Sequence, residues 1–183
     1  SQIVTQRPGE AGDGDRADSG RPLEGVDLRV DAERGAIGRI GVRGPMAMTG
    51  YVGQPPIDPR SYFDTGDEGR FDEEGRLVVL GRADETIVTG GENVHPAEVE
   101  AVLARCRGVK DAVVFGVEDE VWGHVVAAAL VLDDAIQPRD VLDEARGDLA
   151  SFKRPRRFVV VPRVAEPGVK VARRRLAKEL AGQ

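Results

Sequence analysis

The residues best suited to chemistry form an ordered series: Thr65-Gly66-Asp67, Gly81-Arg82-Ala83-Asp84, Thr89-Gly90-Gly91-Glu92-Asn93 and, far downstream, Lys170. A carboxylate beside a glycine that can bend sharply, as at Asp67, can accept hydrogen bonds from two neighbouring sugar hydroxyls. The planar fork of Arg82 can add donors to the same sugar. Each has a plainer reading: Thr65-Gly66-Asp67 as a turn whose aspartate bonds its own backbone, and Arg82 as a surface ion-pair partner. Gly90 and Gly91 remove side chains where an extended ligand could pass close to backbone N–H groups, or they simply form a tight strand-to-helix connection. Glu92 and Asn93 suit capping of the helix that follows. Lys170 is a point charge for a phosphate or carboxylate oxygen, or one more solvated cation in a basic tail. His95 and His124 have no partnered Ser, Cys or carboxylate spacing, so a hydrolytic triad has no support and both are assigned to capping and packing.

Two kinds of element must position these groups. Residues Pro8 to Gly20 are Gly-, Asp- and Arg-rich with few apolar side chains, which predicts a loop or flexible segment. From Val26 to Val79, short alternating runs such as Val26–Val30 and Arg39–Arg43 predict strands of a small antiparallel sheet or barrel. Phe71 to Leu77 reads as a hairpin with Gly75 at the positive-φ position, followed by a strand from Leu77 to Leu80. After Gly81 the pattern predicts helices over Pro96–Arg107, Pro138–Leu149 and Val171–Leu180, with strands over Val109–Val117, Val125–Leu132 and Phe158–Val161. The expected fold is α+β with a boundary near Asp84: residues 1–83 β-rich, residues 84–183 α+β.

Composition narrows the function classes. In 183 residues a hydrophobic fraction of 40% is enough for a packed core in one ordinary domain or two small ones. The longest apolar run, Val125 to Leu132, is too short to cross a bilayer and Ser1-Gln2 does not resemble a signal peptide, so a cytoplasmic location is expected. One cysteine, Cys106, excludes an internal disulfide, and two histidines give no zinc-ligand spacing. The net charge of −6 argues against a nucleic-acid partner. It conceals an asymmetry, however: Ser151–Gln183 carries ten basic against two acidic residues, the rest sixteen against thirty. A basic tail on an acidic body suits a small polyanion better than a duplex, though a solvated helix face gives the same composition.

Read in order, these motifs resemble the back half of the adenylate-forming acyl-CoA synthetases. Gly20-Arg21-Pro22-Leu23, Val42-Arg43-Gly44-Pro45, Gly50-Tyr51, Thr65-Gly66-Asp67, Gly81-Arg82-Ala83-Asp84, Gly90-Gly91-Glu92-Asn93-Val94, Pro96–Glu100, Trp122-Gly123 and Lys170 followed by Arg173–Leu176 all match in sequence, covering almost the whole chain. The resemblance implies a two-step ligase: a carboxylic acid and Mg-ATP give an acyl-adenylate, and CoA then displaces AMP to give a thioester. It implies that residues 1–83 end a large adenylating domain and that residues 84–183 form a hinged lid. Asp67 and Arg82 would hold the ribose, Asp84 would be the hinge, Lys170 the catalytic lysine, and Gly90 and Gly91 would line the CoA channel. ATP, Mg2+ and CoA are the implied cofactors, with the phosphate loop, acyl pocket and magnesium ligands expected upstream of Ser1 and the chain alone therefore expected to be inactive. Ser1–Thr5 resembles the matching segment of o-succinylbenzoate-CoA ligases of menaquinone synthesis, with fatty-acyl or aryl acids as rival substrates and a non-catalytic CoA- or AMP-binding module as the alternative. The chain departs from the family at Val169, where glycine is usual, in a shorter Val52–Tyr62 stretch, and at Tyr62, which replaces a common tryptophan.

Overall fold

A computed structural model describes residues 4–5, 19–164 and 173–181. Most of the predicted Pro8–Gly20 loop, together with Val169 and Lys170, lies outside the described residues. The chain separates into two units, Ser1–Asp84 and Glu85–Gln183.

In the first unit β1 (Val4–Thr5) pairs antiparallel with β2 (Arg21–Pro22), a two-residue pairing too short to leave a pattern in the sequence. The main sheet is an antiparallel meander of β3 (Asp27–Val30), β4 (Gly38–Arg43), β5 (Phe63–Phe71) and β6 (Leu77–Arg82), in that spatial order. Period-two alternation drives it: Ile40 and Val42 point inward and are buried, while Arg39, one position before them on the opposite face, stays exposed. The β5–β6 connection is the expected hairpin, since Gly75 takes φ 75° and Asp72 accepts hydrogen bonds from both the backbone N–H and Nε of Arg76. A 3₁₀ turn, Ala83–Glu85, follows β6.

The second unit opens with a hairpin, β7 (Ile87–Thr89) and β8 (Glu92–Val94), then continues through α1 (Pro96–Leu103), β9 (Val109–Asp119), β10 (Gly123–Leu132), α2 (Pro138–Ala145), β11 (Arg157–Val160) and α3 (Arg173–Ala181). β10 is the organising strand: it is antiparallel to β9 along its whole length, parallel to β11, and meets β7 at Gly123–Thr89. β9 and β10 alternate between two buried faces. Val114, Val126, Ala128 and Leu130 pack against Val99 and Leu103 of α1 and Val141 and Ala145 of α2. Val113, Phe115, Val117, Val125, Ala127 and Ala129 face the other way, where Leu176, Ala177 and Leu180 of α3 cover them. Fully burying one such leucine or valine contributes about 1.5–3 kcal/mol. The fold is α+β, helices covering small antiparallel-rich sheets.

Three sequence expectations are corrected here. Gly90 and Gly91 form a two-residue hairpin turn rather than a strand-to-helix link, with φ 57° and 86°, the pair of positive values a type I′ turn requires. Glu92 and Asn93 are accordingly strand residues, and His95, buried, occupies the N-cap of α1 instead. Lastly, α1 and α2 each stop four residues early. After Leu103 the N–H groups of Arg105 and Cys106 turn to the carbonyls three residues back, tightening the chain so that it can reverse into β9.

Candidate functional site

The first unit brings three of the sequence-predicted residues together. Asp67 on β5 and Arg82 on β6 are direct cross-strand partners. Gly66, at φ 81°, bends β5 just before Asp67, next to a register shift at Glu68–Gly69. A Cβ at Gly66 would lie 2.6 Å from both terminal nitrogens of Arg82, so glycine here also makes room for the guanidinium. Arg82 then donates from Nη1 to the Thr65 carbonyl at 2.9 Å and from Nε to Asp84 Oδ1 at 3.2 Å, and its Nη1 stands 3.6 Å from Asp67 Oδ1. Thr65 fixes the bend from beneath: its hydroxyl donates to the Ile40 carbonyl and accepts the Asp67 N–H.

The aspartate that closes the local turn is Asp64, not Asp67. Its Oδ1 accepts the Gly66 N–H at 2.8 Å and its Oδ2 meets Arg39 Nη2 at 2.7 Å, and these bonds, Arg39 first, hold its carboxyl below the usual range. Asp67 is thereby spared the backbone role that the sequence left open. Its carboxylate is a third exposed and lies beside a guanidinium that is nearly half exposed. An acceptor and a forked donor side by side, both reachable from solvent, fit a vicinal diol, and the residues present are thus suited to a ribose. The neighbouring glycine was the sequence signal for the bend; nothing in the sequence assigned Asp64 and Thr65 their supporting parts.

The second unit places Gly90 and Gly91 at the tip of the β7–β8 hairpin. The Gly90 N–H donates to the Trp122 carbonyl at 3.0 Å, and a Cβ on Gly90 would meet the Trp122 ring at 2.6 Å. Gly91 has open space where a side chain would be. The Trp122 indole is half-exposed, with Arg156 stacked 4.3 Å over it. Asp119 orders this corner by accepting the N–H groups of Trp122 and Val121, which depress its pKa. Trp122 and Arg156 were not singled out from sequence as site residues, although a lone tryptophan beside Gly123 and the run Lys153-Arg154-Pro155-Arg156-Arg157 were visible there.

Lys170 lies outside the described residues, and Asp84 is the last residue of the first unit. Among the described residues no cluster of His, Cys, Asp and Glu could hold a metal ion, and no helix is long and apolar enough to cross a membrane.

Residues 98–167 match the AMP-binding enzyme C-terminal domain. The chain is 38% identical over 173 residues to a 2-succinylbenzoate–CoA ligase of Bacillus licheniformis, an alignment covering 90% of this chain. It is 44% identical over 142 residues to a 4-chlorobenzoate–CoA ligase of an Arthrobacter species. Among solved structures, the o-succinylbenzoate CoA synthetase of Bacillus subtilis in complex with its acyl-adenylate intermediate superposes with a TM-score of 0.87, at 34% identity over 96% of this chain. The chain belongs to the adenylate-forming, AMP-binding enzyme family. It spans only part of such enzymes, 36% of the Bacillus licheniformis relative, 27% of the Arthrobacter relative and 38% of the Bacillus subtilis structure.

Proposed function

We propose that this chain is the C-terminal portion of an ATP-dependent acid–CoA ligase. In the first half-reaction a carboxylate oxygen attacks the α-phosphorus of ATP and pyrophosphate leaves. In the second, the CoA thiolate attacks the acyl carbon, and the C–O bond to AMP breaks. The observation that carries the reading is the Asp67–Arg82 cross-strand pair, opened by the Gly66 bend. In this reading Asp67 accepts hydrogen bonds from both ribose hydroxyls and Arg82 donates to the same sugar. Lys170 neutralises the oxygens that gain charge during adenylation. Asp84 is the pivot between an adenylating and a thioester-forming arrangement, short, polar and at an element boundary. In the second arrangement the Gly90-Gly91 turn lines the passage for the pantetheine arm.

The acid is o-succinylbenzoate in the reading we favour, which would place the parent in menaquinone synthesis; the similarity to the named succinylbenzoate ligases supports it. The higher identity to the 4-chlorobenzoate ligase supports an aryl acid as the second reading. ATP and CoA are the co-substrates, and the phosphate loop, acyl pocket and Mg2+ ligands belong to the remainder of the parent enzyme. The isolated chain is therefore inactive in acid-dependent exchange of pyrophosphate into ATP. The decisive experiment is Lys170→Ala in the full-length parent. Adenylation falls by at least about a hundredfold, the scale of losing one charge-stabilising donor, while thioester formation from supplied acyl-adenylate is largely kept. Equal loss, or no loss, in both half-reactions would sink the proposal and favour a non-catalytic CoA- or AMP-binding module.

A further inference from the structure

Arg173, the first residue of α3, occupies an unusual junction. Its side chain is only 23% exposed, and all three guanidinium nitrogens are engaged. Nε donates to the Val114 carbonyl of β9 at 3.1 Å, Nη1 to Glu85 Oε2 at 2.9 Å, and Nη2 to both Glu100 oxygens at 2.9 and 3.2 Å. Glu100, on α1, in turn accepts the Val114 N–H at 2.8 Å. Both main-chain groups of Val114 are therefore met by an Arg–Glu pair, as a further strand would meet them. The third arm reaches Glu85, the first residue of the second unit, directly after Asp84.

We infer that Arg173 is a positioning residue that keeps the pivot short. By tying Glu85 to β9 and α1, it makes the residue after Asp84 travel with the second unit, so that rotation is confined to the bonds of Asp84. The inference rests on the reading of Asp84 as a hinge. Its logic is one of populations: each half-reaction needs one orientation of the second unit. A pivot loosened over several residues spreads the chain among unproductive orientations and lowers the competent fraction. A lysine could supply the charge but not the fixed fork that serves an edge carbonyl and two carboxylates at once.

Glu85→Ala is the informative variant, because it removes the hinge arm and leaves the Arg173–Glu100 pair on the strand edge. Arg173→Ala would also strip β9 of that cover and is liable to unfold. Two measurements are made. Amide hydrogen exchange on this chain, without nucleotide, should show faster exchange at Glu85 and Thr86 with an unchanged unfolding midpoint from Trp122 fluorescence. In the full-length parent, kcat should fall by a similar factor in both half-reactions, roughly threefold to tenfold, with KM for ATP unchanged, as a lowered competent fraction requires. Unchanged exchange at Glu85 would overturn the clamp. So would faster exchange with both half-reactions at wild-type rate, or a loss confined to one of them. The exchange measurement needs no ligase activity, so failure of the clamp is separable from failure of the ligase reading, which Lys170→Ala tests.

Discussion

Gly66 has two duties, bending β5 and leaving room for the Arg82 guanidinium, and a matched pair of substitutions separates them. Gly25 has φ 80° and nothing within 4 Å of an added Cβ; Gly66 has φ 81° and an added Cβ 2.6 Å from the Arg82 nitrogens. Both lie in the first unit, and alanine at either carries the same left-handed strain, about 1–2 kcal/mol. The smaller unfolded-state freedom of alanine offsets about 0.4–1 kcal/mol of it, so Gly25→Ala destabilises by about 1 kcal/mol. In Gly66→Ala the flexible arginine swings away rather than resisting, and the added cost is its hydrogen bond to the Thr65 carbonyl. For a half-exposed charged donor that is at most about 1 kcal/mol after allowance for solvent screening. The two variants thus differ modestly in stability but, under the proposed ribose-binding role of Asp67 and Arg82, sharply in nucleotide binding. AMP affinity in the full-length parent, measured by calorimetric titration, should fall about tenfold for Gly66→Ala, the equivalent of one lost charged hydrogen bond, and stay unchanged for Gly25→Ala. Stability can be followed through the only two tyrosines, Tyr51 and Tyr62, both in the first unit. Equal AMP affinity in the two variants would refute the argument that Gly66 makes room for a ribose-binding arginine.

Leu103 is fully buried between α1 and the sheet, and Leu103→Ala should destabilise the second unit by about 3 kcal/mol, read as a shift of the urea midpoint in the fluorescence of the sole tryptophan, Trp122, with the tyrosine signal of the first unit unmoved. In the first unit, Asp27 is held below its ordinary value by hydrogen bonds from the Tyr62 hydroxyl and from Arg43, while the Tyr62 hydroxyl is pushed above its own ordinary value, chiefly by the bond to Asp27. The depressed carboxylate contributes stability that is present above pH 3.8 and lost as pH falls through its lowered value; the raised phenol contributes stability present below pH 10.0 and lost as pH rises through its raised value. Asp27→Asn should flatten the pH dependence of first-unit unfolding at both extremes, and an unchanged profile in thermal melts would show that the cluster is not coupled to folding.

Much of this protein could be read from local pattern, because its strands and helices follow the rules that residue spacing encodes. Alternation at Arg39–Arg43 gave β4, Gly75 gave the β5–β6 hairpin, and Pro96 and Pro138 marked helix starts at the one position where a missing N–H is harmless. The helix ends were less legible: helix-forming composition runs on past Leu103 while the need to reverse into β9 stops α1, and at α2 the stop signal was Gly147, two residues beyond Ala145, which the expected span to Leu149 ran through. Gly90-Gly91 shows the limit most plainly. The glycines declared a tight turn, but whether a strand or a helix came next was decided by β10, whose Gly123 pairs with Thr89 and whose neighbour Trp122 lies against Gly90.

The amino-acid order by itself determined which side chains were available for nucleotide chemistry, and in what succession, since type and spacing are properties of the chain. Only the tertiary structure decided which of them meet. Asp67 and Arg82 are fifteen positions apart and become partners through hairpin register; Asp64 takes the turn-closing bonds that either aspartate could have accepted; and Arg173 reaches Glu85 across 88 positions because α3 packs on β9. The physical reason is common to all three: a hydrogen bond or ion pair between distant residues forms only after burial of apolar faces has met the entropic cost of bringing the segments together, and no local pattern records that outcome.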